Sequence, residues 1–160
     1  MKTLAVATAA VALLAGAGSA AAETLVALTR GDRLATIDTA TMAQTASTFV
    51  SGVDGRLLGI DWRPSDGMLY GLFADGTVAT IDPATGAATV LDTLKTIPPD
   101  GTTVTVDFNP AADAMRIMGS DGTNLRTKFA EGAVTEDGRH AFAAADMHAG
   151  ETPMIVAGAY

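Results

Sequence analysis

Apolar and polar residues alternate with a period of two along most of the chain. The pattern is clearest at two sets of positions, Leu58, Ile60 and Trp62 in one and Val104, Val106 and Phe108 in the other. No twelve-residue stretch carries apolar positions at the i, i+3, i+4 spacing of an amphipathic helix. The pattern therefore predicts β-structure throughout. The strands predicted for one unit are 57–62, 68–73, 77–82 and 87–92.

This strand pattern repeats along the chain. Residues 54–89 match residues 100–135 without a gap, and 11 of the 36 positions are identical. Chance would give about two or three identities. An earlier partial copy at residues 25–41 matches residues 69–85 at an offset of 44. The predicted organisation is a partial unit 23–52, a unit 53–98 and a unit 99–160.

The dipeptide Asp-Gly separates many of the predicted strands. It begins at Asp54, Asp66, Asp75, Asp100, Asp121 and Asp137. Both residues tolerate positive φ, which a two-residue hairpin turn requires, so we expect these pairs to form turns. The alternative is calcium ligation, which needs several oxygen ligands that converge on one point.

Four strands in a unit of 44–46 residues is the size of a propeller blade. The predicted fold is all-β, with tandem four-stranded antiparallel blades in a partial, about three-blade, β-propeller-like arc. Closed propellers have roughly four to eight blades, so such an arc leaves strand edges open. Three outcomes follow: a chain shorter than its relatives, an open stack, or self-association through the open edges.

The N-terminal residues have the features of a cleavable signal peptide. Lys2 precedes a short apolar run, and small residues lead up to Ala22, after which we predict cleavage. An uncleaved anchor is the alternative. The predicted location is periplasmic or secreted.

Composition excludes some classes of partner and chemistry. The chain has no cysteine, so it offers neither a disulfide nor a thiol nucleophile, and its formal net charge is −8. That charge disfavours nucleic acid and, after signal cleavage, an anionic membrane.

The candidate ligand-binding residues are Asn124, Arg126 and Arg116. Asn124 and Arg126 are two apart, so in a strand they point to the same face, where they could hold a carboxylate or a sugar hydroxyl. The structural alternative is that Arg126 pairs with Asp107 or Asp113 to tie adjacent strands together.

The candidate metal ligands are Asp107, Asp113 and Asp121. Asp107 recurs as Asp61 in the preceding unit, which favours a structural role as a turn cap over a site. No cofactor is expected, with calcium as the alternative.

The remaining notable residues have structural interpretations. His140 and His148 are predicted to be loop histidines without a chemical role, because no further metal ligands or activated serine accompany them. Trp62 and Phe108 occupy equivalent positions and are predicted to fill the core between blades. Residues 143–149 fit either one helical turn or a loop.

The third unit carries the most particular motifs. They are Asp107-Phe-Asn-Pro, Asp113, Arg116, Gly122-Thr-Asn-Leu-Arg126, Asp137-Gly and the tail 150–160. In these motifs the chain resembles the exported bacterial family catalogued as domain of unknown function 4394. The resemblance implies propeller-type repeats, export and no activity to transfer. It also implies a C-terminally shortened member, since the family generally continues with further strands.

The function that this sequence favours is an exported, non-enzymatic module that binds a small ligand or a protein. One alternative is a periplasmic metal-dependent hydrolase or lactonase of the propeller type, with acidic residues around a metal. The other is a non-functional truncated fragment.

Overall fold

The computed structural model describes residues 24–129 and 132–160. This part of the chain forms eleven β-strands and no helix. Nothing in it meets the length and apolarity that a membrane-crossing helix requires. The predicted signal peptide, residues 1–22, lies outside the described residues.

The strands follow one another at short intervals. They are β1 (Thr24–Thr29), β2 (Arg33–Asp38), β3 (Ala43–Phe49), β4 (Leu57–Arg63), β5 (Met68–Phe73), β6 (Thr77–Ile81), β7 (Ala88–Thr93), β8 (Val104–Asn109), β9 (Ala114–Gly119), β10 (Asn124–Thr127) and β11 (Val134–Glu136). The four strands predicted for one unit are confirmed to within one residue at either end. Residues 143–149 form turns and no helix, so the loop interpretation is correct.

The strands form three separate antiparallel sheets. The first sheet has the order β1-β2-β3, the second β4-β5-β6-β7 and the third β8-β9-β10-β11. Within each sheet, every strand pairs with its sequence neighbour, and the sheets do not close into a ring within the described residues. The predicted all-β fold is confirmed, and the arrangement is consistent with a partial propeller-like arc.

The Asp-Gly turns combine two separate contributions. In the hairpin between β5 and β6, Gly76 has a φ of +90°, a conformation that other L-residues rarely adopt. Asp75 instead caps the turn, since its carboxylate accepts hydrogen bonds from the backbone N–H and the hydroxyl of Thr77, each at 2.9 Å. The same arrangement recurs at Asp121-Gly122-Thr123. Positive φ is therefore the role of the glycine alone, and the aspartate supplies a hydrogen-bond acceptor.

Two apolar clusters hold the three sheets together. The cluster between the first and second sheets contains Leu34, Val50, Leu57, Leu69, Phe73, Ala79 and Ile81. The cluster between the second and third sheets contains Tyr70, Leu72, Val78, Leu94, Val106, Phe108, Met115, Ile117 and Leu125. Alternate residues of β5 enter different clusters because successive side chains of a strand point to opposite faces.

The first strands of the second and third sheets, β4 and β8, lie side by side. We call them the inner strands. Asp61 on β4 accepts a hydrogen bond at 2.7 Å from the backbone N–H of Phe108 on β8. The prediction that Asp61 and Asp107 cap turns was wrong. Both lie within strands, and Asp61 joins one inner strand to the next.

The two equivalent aromatic residues have different environments. Phe108 is 2% exposed and packs against Tyr70 and Phe129, as predicted for a core residue. Trp62 is 43% exposed, so its predicted core role was wrong. It lines an open cavity of about 350 Å³ beside Leu69 and Ile81. The two positions differ in their neighbours, since Phe108 packs on the rings of Tyr70 and Phe129 whereas Trp62 borders the open cavity.

Candidate functional site

The third sheet presents one apolar face and one polar face. Met115, Ile117 and Leu125 are buried against the second sheet. The opposite face, which we call the outer face of the third sheet, carries Arg116, Met118, Asn124 and Arg126. Arg116 lies directly across from Arg126, and Asn124 across from Met118. The structure therefore brings the three predicted binding residues together on one surface.

One carboxylate, that of Asp137, joins the two arginines of this face. Asp137 accepts hydrogen bonds from Nη1 of Arg116 at 2.5 Å and from Nη2 of Arg126 at 3.2 Å. Arg116 Nη1 also donates to Oδ1 of Asn124 at 2.7 Å. The hydrogen bond from Arg116, and then the nearby charge of Arg126, lower the pKa of Asp137. One anion thus holds two like-charged guanidinium groups side by side.

Sequence reasoning assigned Asp137 to an Asp-Gly turn and missed this role. Gly138 does not adopt positive φ, unlike the glycines of the tight hairpins. The backbone N–H of Asp137 donates to the carbonyl of Asn124, which places the carboxylate beside the two arginines. The signal that could have found it is the hairpin register of β10 and β11, which brings Asp137 next to Asn124.

The structural alternative for Arg126 named the wrong partners. Arg126 pairs with Asp137, and neither Asp107 nor Asp113 contacts it. Asp113 instead binds Arg63 through two hydrogen bonds, at 2.6 and 2.8 Å, and joins the second unit to the third. Arg63 is the main cause that lowers the pKa of Asp113 to about 2.

The three candidate metal ligands lie in different surroundings. Asp113 is engaged by Arg63 and by the hydroxyl of Ser65, and Asp121 is engaged by its own turn at Thr123. Asp107 faces a cleft on the outer face of the third sheet. Across residues 24–129 and 132–160, no group of three or more His, Asp or Glu side chains is placed to hold a metal ion.

This cleft has a volume of about 350 Å³. Its lining residues are Asp107, Arg116, Met118, Asn124, His140, Gly158, Ala159 and Tyr160. Arg116 Nε donates a hydrogen bond to the Tyr160 hydroxyl at 3.2 Å, so the C-terminal segment forms one wall. Contact with Asn109, and then with Arg116, lowers the pKa of the Tyr160 hydroxyl.

Two buried polar atoms in the cleft have no hydrogen-bond partner within the described ranges. They are Oδ2 of Asp107 and Nε2 of His140. Burial, and then the charge of Asp61, raise the pKa of Asp107, and the Tyr160 backbone N–H partly offsets this rise. Unpaired buried polar atoms are costly, so atoms of this kind mark a place where a ligand or water would be stabilised.

The two histidines differ in their surroundings. His140 follows β11, and its backbone N–H donates to the carbonyl of Gly122, which fixes the imidazole over the cleft. His148 is exposed and contacts Glu151 at 3.2 Å. Both histidines had the same predicted role, because nothing in the residues around His140 shows that its loop crosses the third sheet.

Chemically, the cleft offers donors and acceptors at close range. Arg116 and Asn124 provide fixed donors, His140 provides a ring nitrogen, and Asp107 provides a carboxyl oxygen. A guanidinium beside an amide suits a carboxylate, while an unpaired carboxyl oxygen and an imidazole nitrogen suit hydroxyl groups.

Comparisons with known proteins identify a family and solved structures of similar fold. No curated protein matches the chain. The fold is similar to the crystal structure of an auxiliary nutrient binding protein from Bacteroides thetaiotaomicron, at 14% sequence identity and a TM-score of 0.42. That likeness covers 72% of this chain and 39% of the other, so the chain spans about two fifths of that protein. Residues 33–160 match the family described as domain of unknown function (DUF4394), and the chain belongs to that family.

Proposed function

We propose that this protein is an exported, non-enzymatic binding module whose cleft holds a small ligand with both carboxylate and hydroxyl groups. The observation that carries the proposal is the pair of buried, unpartnered atoms in the cleft, Asp107 Oδ2 and His140 Nε2. Both residues line the cleft that Arg116 also lines. Export is supported by the N-terminal signal-peptide pattern of the sequence.

The role of each residue follows from its hydrogen-bonding capacity. Arg116 is held by Asn124 and Asp137 through Nη1 and by Tyr160 through Nε, so Nη2 is not used in these contacts. A ligand carboxylate would accept from that nitrogen. A ligand hydroxyl would bridge His140 and Asp107, since it both donates and accepts.

The arrangement favours holding a ligand over transforming one. Arg116 is positioned by three fixed partners, which lowers the entropy lost on binding. A ligand that satisfied both orphaned atoms would remove an unfavourable feature of the empty cleft. A ligand at 100 times its Kd would then stabilise the fold by about 2.7 kcal/mol.

The test is a melting and calorimetry panel of small hydroxy acids. Glucuronate, gluconate and L-malate carry both functional groups, whereas acetate and glucose carry one each. The proposal predicts that at least one hydroxy acid raises Tm and that the single-function compounds do not. His140→Phe keeps an aromatic side chain but removes both ring nitrogens, so it should abolish the shift.

The matched control is His148→Phe, the same substitution at an exposed histidine outside the cleft. It should retain the ligand-induced shift of the unaltered protein. Equal shifts in both histidine variants, or no shift with any hydroxy acid, would overturn the proposal. Circular dichroism of both variants without ligand verifies that they fold.

A further inference from the structure

Residues 154–160 follow the register of an inner strand. Asp61 on β4 accepts a hydrogen bond from the backbone N–H of Phe108 on β8. Asp107 is the equivalent of Asp61 in the next unit, and the backbone N–H of Tyr160 acts on its carboxyl, since it partly offsets the rise in the pKa of Asp107. Tyr160 therefore lies relative to the third unit as Phe108 lies relative to the second.

A close approach between neighbouring strands gives the same register. A Cβ added to Gly59 on β4 would lie 2.7 Å from Cγ2 of Val106 on β8. The repeat makes Thr105 the equivalent of Gly59. A Cβ added to Gly158 would lie 3.9 Å from Cγ2 of Thr105. Gly158 is thus in the position of Val106, two residues before the aromatic residue in both segments.

A third contact agrees with the first two. The ring of Phe108 packs on Tyr70 of β5, with ring centroids 5.2 Å apart. The repeat makes Arg116 of β9 the equivalent of Tyr70. Arg116 contacts the hydroxyl of Tyr160. Three independent contacts therefore place residues 154–160 beside β8 as β8 lies beside β4.

Within the described residues, the first sheet has the outer strands of a unit, to which an inner strand could be added. By the repeat, β1 and β2 correspond to β5 and β6, so the first sheet consists of the three outer strands of a unit. Within residues 24–129 and 132–160, β1 pairs with β2 alone. At an offset of 44, the equivalent of β4 would be residues 13–19, which fall in the predicted signal peptide.

We propose that residues 154–160 of one copy of this chain add as an inner strand to β1 of a second copy. In the register of β8 with β9, Val156 would lie opposite Thr29 and Tyr160 opposite Leu25. Val156 is 68% and Leu25 is 49% exposed, so pairing removes apolar surface from water at an otherwise open edge.

The two junctions of such a pair are identical and related by a twofold axis, so two copies that exchange residues 154–160 form a dimer. Each junction would complete one four-stranded sheet, with β1, β2 and β3 from one copy and residues 154–160 from the other. The binding cleft would then line the seam between copies.

Cysteine cross-linking tests the register directly, because the chain has no cysteine of its own. A variant with both Val156→Cys and Thr29→Cys places the two thiols opposite each other across the junction. The mismatched control combines Val156→Cys with Thr24→Cys, which is about 17 Å further along β1. Mild oxidation should give at least about tenfold more covalent dimer from the matched pair.

A second variant tests the junction without cysteine. Val156→Lys places a charge on the exposed edge, and Val90→Lys makes the same change at a similarly exposed valine on β7. Light scattering of the chain without residues 1–22 should give a dimer for the unaltered protein and Val90→Lys, and a monomer for Val156→Lys. A monomeric unaltered protein, a dimeric Val156→Lys variant or equal cross-linking of both cysteine pairs would overturn the proposal.

Discussion

The second and third sheets share a repeat, but the second buries a largely apolar face under the next sheet, whereas the third carries a largely polar face at the equivalent positions. On the second sheet, Tyr70, Leu72 and Val78 are fully buried beneath the third sheet. At the equivalent positions, the third sheet has Arg116, Met118 and Asn124. The backbone register is the same in both, since Asp61 pairs with Tyr70 as Asp107 pairs with Arg116.

This difference separates what the repeat specifies from what individual side chains specify. The shared pattern of turns and alternating residues sets the strands and their order. The residues on one face then decide whether that face becomes core or a polar cleft. A stack of similar sheets can in this way carry a binding site at one layer without changing its backbone.

The largest expected effect comes from truncating the equivalent pair Leu72 and Met118. Leu72→Ala removes a side chain with 0% exposure and should lower the free energy of unfolding by about 2–5 kcal/mol. Met118→Ala, on the half-buried outer face, should cost about 1 kcal/mol or less. Urea denaturation of both variants measures the difference. Equal losses would contradict the distinction between a packed face and an open one.

The ion pair between the units should give the next largest effect. Arg63→Met removes both hydrogen bonds to Asp113 and should lower Tm at neutral pH, because the carboxylate loses the guanidinium that binds it. Because the pKa of Asp113 is lowered from 3.8 to about 2, the carboxylate stabilises the fold above pH 3.8, and this contribution is lost as the pH falls toward 2.

Melting curves from pH 7 down to pH 2 measure this dependence. The gap in Tm between Arg63→Met and the unaltered protein should be widest at neutral pH and should close in acid. Arg33→Met, at an exposed arginine of the first sheet, is the control and should show a small, nearly pH-independent change. A gap for Arg63→Met that persists unchanged at pH 2 would show that the ion pair is not its cause.

The smallest expected effects concern two aspartates of the outer face with opposite pKa shifts. The pKa of Asp107 is raised, so its ionisation destabilises the fold as the pH rises through that value. Asp107→Asn should therefore raise Tm at neutral pH, by roughly 2–4 °C. The pKa of Asp137 is lowered, and Asp137→Asn should lower Tm. Shifts of the same sign in both variants would refute this assignment.

The sequence predicted the strands well because their signal is local. Alternation and the Asp-Gly turns depend on neighbouring residues. The repeat then aligned the strands of the second unit with those of the third. The two-residue spacing placed Asn124 and Arg126 on one face of a strand, and the hairpin of the third unit brings Arg116 beside them. It could not identify Asp137 or distinguish His140 from His148, because those roles depend on a loop that returns across the sheet. The predicted burial of Trp62 was wrong for a similar reason, since the burial of a side chain depends on what a neighbouring sheet provides.

Amide hydrogen exchange at Phe108 and Tyr160 measures whether residues 154–160 dock on the third unit as β8 docks on the second. Both amides should be protected, Asp61→Ala should accelerate exchange at Phe108, and Asp107→Ala should accelerate exchange at Tyr160. A Tyr160 amide that exchanges at the unprotected rate, with or without Asp107, would show that residues 154–160 do not dock in this way.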